Sequence, residues 1–165
     1  MDAMILEYSL NLVSMPSYMS YTGLRDAVAS GLSYVNRVTS DRVKFRQVPY
    51  SLQNPKHVVH FGFEDYGPED DSIGNWELNN DRYSVSFNTR YRWRTHWLQM
   101  LLGRNYSIRD TTIHEAGHLL GLPHSDDYGS VMHPNPKYPT FTSNDLAAMI
   151  YRINRGDIRW PAKPP

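Results

Sequence analysis

The chain contains no cysteine. That excludes disulfides, thiolate zinc sites and any latency device that works through a thiol. It also lacks net charge, because 17 basic and 17 acidic side chains cancel. No global field therefore favours nucleic acid or an anionic membrane, and neither is expected as a partner. No apolar run approaches the length of a membrane span. The first residues, Met1 to Glu7, lack a basic segment followed by a long apolar one, so no signal peptide is read there. Internal repeats and linker-like stretches are missing too.

What remains is 165 residues, 40% of them apolar and 21% charged. That suits one domain, 1–165, with a real hydrophobic core. Ile5 to Leu10 reads as a first strand, and Ser14 to Ser20 as a loop. Thr22 can cap a helix running to about Val38, with Leu24, Val28, Leu32 and Val35 on one face. Arg42 to Val48 alternates as a strand, and Pro49 to Pro55 connects it to a buried strand at His57 to Phe63. An acidic loop follows at 64–71. Ile73 to Leu78 reads as a short edge strand, Asn79 to Asp81 as a turn, and Tyr83, Val85 and Phe87 mark a half-buried strand. Thr142 and Asp145 open a last helix with Leu146, Met149, Ile150 and Ile153 on its apolar face. Trp160 to Pro165 reads as a loose tail.

The chemistry concentrates at His114-Glu115-Ala116-Gly117-His118-Leu119-Leu120-Gly121-Leu122-Pro123-His124, an H-E-x-x-H-x-x-G-x-x-H pattern. Ser107 and Asp110 open the helix that carries it. His114 and His118 are one turn apart, so both imidazoles share a face. Gly121 tolerates the left-handed turn that ends the helix. Pro123 stops the helix resuming, and His124 returns as a third ligand. Zinc held by three neutral nitrogens keeps its charge and lowers the pKa of a water at its open position to about 7. Glu115 is placed to act as general base on that water and then as general acid to a leaving amine. A bare H-E-x-x-H recurs by chance, but Gly121 and His124 make the pattern specific. A purely structural zinc site has no need of Glu115.

These residues resemble the metzincin zinc endopeptidases, and among them the matrixins. Ser130-Val131-Met132-His133-Pro134 is similar to the methionine turn that metzincins place under the metal, with Met132 eight residues after His124. Thr142 to Leu146 resembles the start of the family's last helix. The resemblance is strong over 107–151 and faint but collinear over 5–93. It implies an α+β fold of zincin type: a twisted, mostly parallel sheet with an antiparallel edge strand, two main helices and a C-terminal helix. The expected division is an upper subdomain, 1–121, and a small lower one, 122–165. The resemblance further implies a monomer that binds a protein or peptide substrate as an extended strand. Ile73 and Gly74 would pair with substrate backbone. Pro134, Asn135 and Pro136 resemble the wall of the family's S1′ pocket. Asp110 aligns with that pocket's floor, where a carboxylate would favour a basic substrate residue, but it also reads as a helix cap with Ser107. The family is usually secreted, so the compartment stays open without an export signal.

The departures from the family pattern are equally informative. Matrixins hold a second, structural zinc. Here Ser86 and Asn75 stand where two of its histidines are expected, and the loop 64–71 has none. One catalytic zinc is therefore expected, and no structural one. Thr89, Arg90 and Tyr91 replace acidic residues that help hold calcium in the family. The acidic loop with Glu64, Asp65, Glu69, Asp70 and Asp71 leaves calcium open, its plain reading being a solvated loop. His57, His60 and His96 read as structural. In the segment Arg90 to Arg104, Arg90, Arg92, Arg94 and Arg104 sit among Tyr91, Trp93 and Trp97. The two readings are a polyanion-binding stretch and an arginine-faced, aromatic-cored insertion. The second is preferred, because long basic side chains commonly cover apolar surface. The function expected is a zinc-dependent endopeptidase. Two alternatives stand beside it: a zinc-containing peptide-binding module without catalysis, and a zinc hydrolase acting on a cell-wall peptide amide.

Overall fold

The computed structural model describes residues 3–96, 98–99, 106–136 and 139–160. Trp97, Arg104 and 161–165, which the sequence places in the insertion and the tail, lie outside them.

Among the described residues, seven strands and three helices follow one another. They are β1 (Met4–Leu10), α1 (Tyr21–Val38), β2 (Val43–Gln47), β3 (Val58–Glu64), β4 (Gly74–Asn79), β5 (Arg82–Asn88), β6 (Trp93–Arg94), β7 (Tyr106–Ser107), α2 (Ile108–Leu119) and α3 (Ser143–Arg155). Five strands form one sheet in the order β2-β1-β3-β5-β4. The three internal pairings are parallel, and β4 runs antiparallel to β5 at the edge. The mostly parallel α+β sheet and its edge strand are as expected. The β4–β5 hairpin turns on Asn80 and Asp81, both at positive φ, the geometry whose twist matches the flanking strands. Among the described residues no helix is long and apolar enough to cross a membrane.

The helix α1 starts earlier than the sequence suggests. Ser20, not Thr22, is its cap, and the Ser20 hydroxyl accepts from the Gly23 N–H at 3.0 Å. Two Ser/Thr residues compete for this role, and the one with extended backbone wins. Leu24, Ala27, Val28, Leu32 and Val35 form its buried face, as the period demands. Gly31 lies close against α2, where a side chain would meet the Arg109 carbonyl and Thr112.

The tail is corrected at its first residue. Trp160 is 1% exposed and packs on Phe45 and Phe61, with its indole N–H directed to the Glu7 carbonyl. The part of the insertion that is described has an aromatic core. Trp93 is fully buried against Phe87 and Tyr106 and donates its indole N–H to the Asn88 carbonyl. Buried side chains from Leu6 to Trp160 form one connected cluster, which includes Ile113, Ala116, Leu119 and Met132 beneath the motif. The helix α2 is thus wedged between the sheet side and the last segment.

Candidate metal centre

Ser107 caps α2, its hydroxyl accepting from the Asp110 N–H. The reciprocal half of a capping box is not formed, because Asp110 gives its carboxylate to Arg109 at 2.8 Å and Arg94 at 3.7 Å. The helix ends at Leu119. Leu122 N–H reaches the Gly117 carbonyl at 2.9 Å and Gly121 N–H the His118 carbonyl at 3.0 Å. With Gly121 at φ +96, this is a Schellman ending, and it turns the chain back toward the helix. His124 is thereby carried to the face that His114 and His118 share.

One nitrogen from each of these three histidines lies within 4.8 Å of the others. The outer nitrogens are tied down. His114 Nδ1–H donates to the Val131 carbonyl at 2.6 Å, and His118 Nδ1–H to the Leu122 carbonyl at 2.8 Å. In the neutral rings the Nε2 atoms are then bare lone pairs, and those of His114 and His118 face each other at 3.1 Å. Two lone pairs at that distance repel unless a cation lies between them. Tetrahedral zinc places its nitrogens roughly 3.4 Å apart. The donor set and the fixed tautomers therefore fit a zinc ion. Burial, with the facing His114, His124 and Arg159, holds His118 down to about 4. Burial also lowers His114. Both are thus neutral, as metal binding requires.

Glu115 lines the same cleft as His114 and His124. It is 4% exposed and lies against β4, where a side chain on Gly74 would come within 3.3 Å of its carboxylate. Burial pushes its carboxyl up to about 8. A nearby zinc charge would favour the ionised form.

The methionine turn closes the site from below. Met132 is fully buried, and its sulfur meets Gly117 in the middle of the motif. Ser130 positions the turn. Its hydroxyl accepts from the Met132 N–H at 2.9 Å and donates to Asp145 at 2.6 Å. Asp145 also completes the capping box of α3 with Thr142. The turn is therefore hung on the N-terminus of α3, and its Val131 carbonyl orients His114. This link was not read from the sequence, although the Thr142–Asp145 cap in it was.

A cleft of about 740 Å³ runs past His114 and His124. It is lined by Ile73, Gly74, Asp110, Pro134, Asn135 and Pro136, all six singled out in the sequence. It is also lined by Arg94, Tyr106 and Thr111, which were not. Arg94 and Tyr106 belong to the short strand pair whose fold carried no periodic signal.

Ser86 has a different partner from the one a second metal would supply. The Tyr66 hydroxyl lies 2.7 Å from its Oγ and 2.8 Å from its carbonyl. In the acidic loop, Asp65 and Asp70 accept from the N–H groups of Gly67 and Ser72. Arg90 donates to the carbonyls of Gly67 and Asp70, and Tyr91 to that of Asp71. His57 pairs with Glu7 at 2.8 Å and His60 with Ser9 at 2.6 Å, which are structural partners.

No curated protein matches the chain. A model of one protein family, described as Matrixin, matches residues 5–149. That span takes in the sheet, the three histidines, the methionine turn and most of α3, and so the chain belongs to the matrixins, a family of zinc metallopeptidases.

Proposed function

We propose that the chain is a zinc-dependent endopeptidase with a single metal. His114, His118 and His124 hold the ion and Glu115 is the general base. Zinc in that site would supply Lewis acidity toward a peptide carbonyl and acidify an attacking water. Glu115 takes the proton from that water. Beside bound zinc its buried carboxyl would be ionised and able to accept that proton. It then returns the proton to the leaving amine.

The observation that carries this reading is the pair of bare Nε2 atoms beside a buried carboxylate at the wall of an open cleft. The cleft's shape supports a peptide substrate. Gly74 and Ile73 lie at the sheet edge, and among the described residues β4 has no strand on its outer side. A substrate backbone can add there as a further strand. Ser86 engaged by Tyr66 supports one zinc rather than two, in a monomer organised as a single domain.

The test is a quenched peptide library with and without a chelator, paired with a metal count. Chelator-sensitive internal cleavage and one zinc per chain are expected. Glu115→Ala should keep the zinc and lose at least two orders of magnitude in turnover. Binding without cleavage would instead indicate a peptide-gripping module. An unchanged rate in Glu115→Ala would remove the base from the mechanism.

A further inference from the structure

We propose that Arg94 makes the cleft a carboxylate-binding subsite, so that the enzyme selects substrates with an acidic group beside the cleaved bond. The inference rests on the peptidase reading and adds a substrate class to it.

The placement of Arg94 follows from its strand. β6 pairs with β7 in register, with Trp93 opposite Tyr106 and Arg94 opposite Ser107. Successive strand residues point to opposite sides. Trp93 is anchored in the core, so Arg94 faces out, beside the first turn of α2 and into the cleft. Its side chain is only 19% exposed. A guanidinium that enclosed is placed at a real cost in hydration, and a partner is needed to recover it.

The partner at hand is incomplete. Asp110 sits one turn before His114, about 6 Å along the helix axis. It faces two guanidinium groups at once. Arg109 holds its Oδ1 at 2.8 Å, a hydrogen bond, whereas Arg94 reaches Oδ2 only at 3.7 Å. The carboxylate is thus engaged chiefly by Arg109. Two cations share one anion, and among the described residues Arg94, in the cleft, is the one without a hydrogen bond to it. Asp71, at the cleft rim, has a side chain 93% exposed and leans to Arg90 instead. An arriving carboxylate can take two parallel hydrogen bonds from Arg94, the geometry in which arginine is strongest. The charge comes from an acidic side chain or from the free C-terminus of a short product-like peptide.

This also changes the meaning of Asp110. A lone carboxylate at its position would attract a basic residue. With Arg109 hydrogen-bonded to it, Asp110 is instead largely neutralised and only competes weakly with an incoming carboxylate for Arg94.

Peptides carrying a single Glu at successive positions around the cleaved bond, each with Gln, Leu and Lys counterparts, test the idea on the zinc-loaded chain. At one position Glu should exceed Gln in kcat/KM by about tenfold or more. That ratio should collapse toward unity in Arg94→Ala and survive in part in Arg94→Lys. Asp110→Asn should raise it, because a competing anion is removed. A ratio within one preparation does not depend on its active fraction, so partial misfolding leaves the reading intact. Free-acid and carboxamide versions of the same peptides separate a C-terminal source from a side-chain source. Ratios near unity at every position, or a preference for Lys that Asp110→Asn abolishes, would overturn the proposal. If no peptide is cleaved, the peptidase reading falls, and the subsite is read by binding. Glu peptides should then bind about tenfold tighter than Gln peptides and lose that margin in Arg94→Ala, whereas equal affinities would end it.

Discussion

The sulfur of Met132 fills the space that a side chain at Gly117 would need. The contact lies in the last turn of α2, between His114 and His118 in sequence, with Phe141 also beside it. Met132 is fully buried. The methionine turn and the motif helix are therefore fitted to each other, not merely adjacent. Gly117→Ala must push the turn away or bend the helix. It should cost about 1–3 kcal/mol, as overpacking does. Because Val131 travels with Met132 and holds His114 Nδ1, zinc affinity should fall with stability. Met132→Leu, nearly the same volume, should cost less than about 1.5 kcal/mol. Thermal melts and zinc titration of both variants check this, and a harmless Gly117→Ala would refute the fit.

The site also sets how stability depends on pH in metal-free protein. His118 is held down to about 4 by burial and its neighbours. Below the ordinary value of 6.5 the unfolded chain takes up that proton and the folded one does not, so stability falls as pH drops toward 4. Glu115 has the opposite sign. Burial raises its carboxyl from 4.5 to about 8, so the folded state holds the extra proton and loses stability as pH rises through that range. The two oppose each other between about pH 4.5 and 6.5, and only Glu115 acts above that. His114, also lowered, adds to the acid-side loss. Urea midpoints of chelated protein should therefore peak near about pH 6 and decline on both sides, by a few kcal/mol in all. Zinc should abolish the alkaline decline by favouring the ionised carboxylate. A metal-free protein that gained stability from pH 6.5 to 8 would contradict the burial of Glu115.

The motif was legible because its spacing is itself geometry. Four residues make a turn of helix, and Gly121 must turn left-handed for His124 to return. The sheet was legible from alternation in β2 and β5, from the apolar run of β3 and from the Asn79–Asp81 turn. What escaped has a physical reason in each case. Arg94 lies on a two-residue strand, too short for any period. Ser20 and Thr22 are equally good caps in composition, and only backbone conformation separates them. Trp160 sits at the edge of a proline-rich segment, and its burial depends on a surface that Phe45 and Phe61 make from distant strands.

Trp160 deserves a test for that reason. The N–H groups of Arg159 and Trp160 both reach the Leu119 carbonyl at 2.8 Å. That carbonyl belongs to the last turn of α2, where helix carbonyls lack intrahelical partners. The segment after α3 thus finishes the motif helix, and the Trp160 side chain anchors it. Trp160→Ala should destabilise by about 3–5 kcal/mol, as loss of a large buried ring does. Calorimetry of the zinc-loaded protein reads the loss. A change of only a few tenths of a kcal/mol would return Trp160 to the loose tail that its sequence suggests.

Gly74 joins the sheet edge to the base. A methyl group there would crowd Thr111 Cγ2 at 2.7 Å and the Glu115 carboxylate at 3.3 Å. The strand can lie this close to α2 only because residue 74 has no side chain. Gly74→Ala should move either β4 or Glu115 by a fraction of an ångström, at a position far less sensitive for stability than for geometry. A misplacement of about 1 Å can cost a hundredfold in rate, so kcat should fall about tenfold or more while zinc stays bound. The nearer clash is with a methyl group of threonine, which supplies a rescue. Thr111→Ser removes that methyl and should restore part of the lost rate in the double variant, beyond what the two single changes would give by addition. Full activity in Gly74→Ala would show that the edge strand yields freely. A double variant no better than the single one would shift the cause from the Thr111 contact to Glu115 itself.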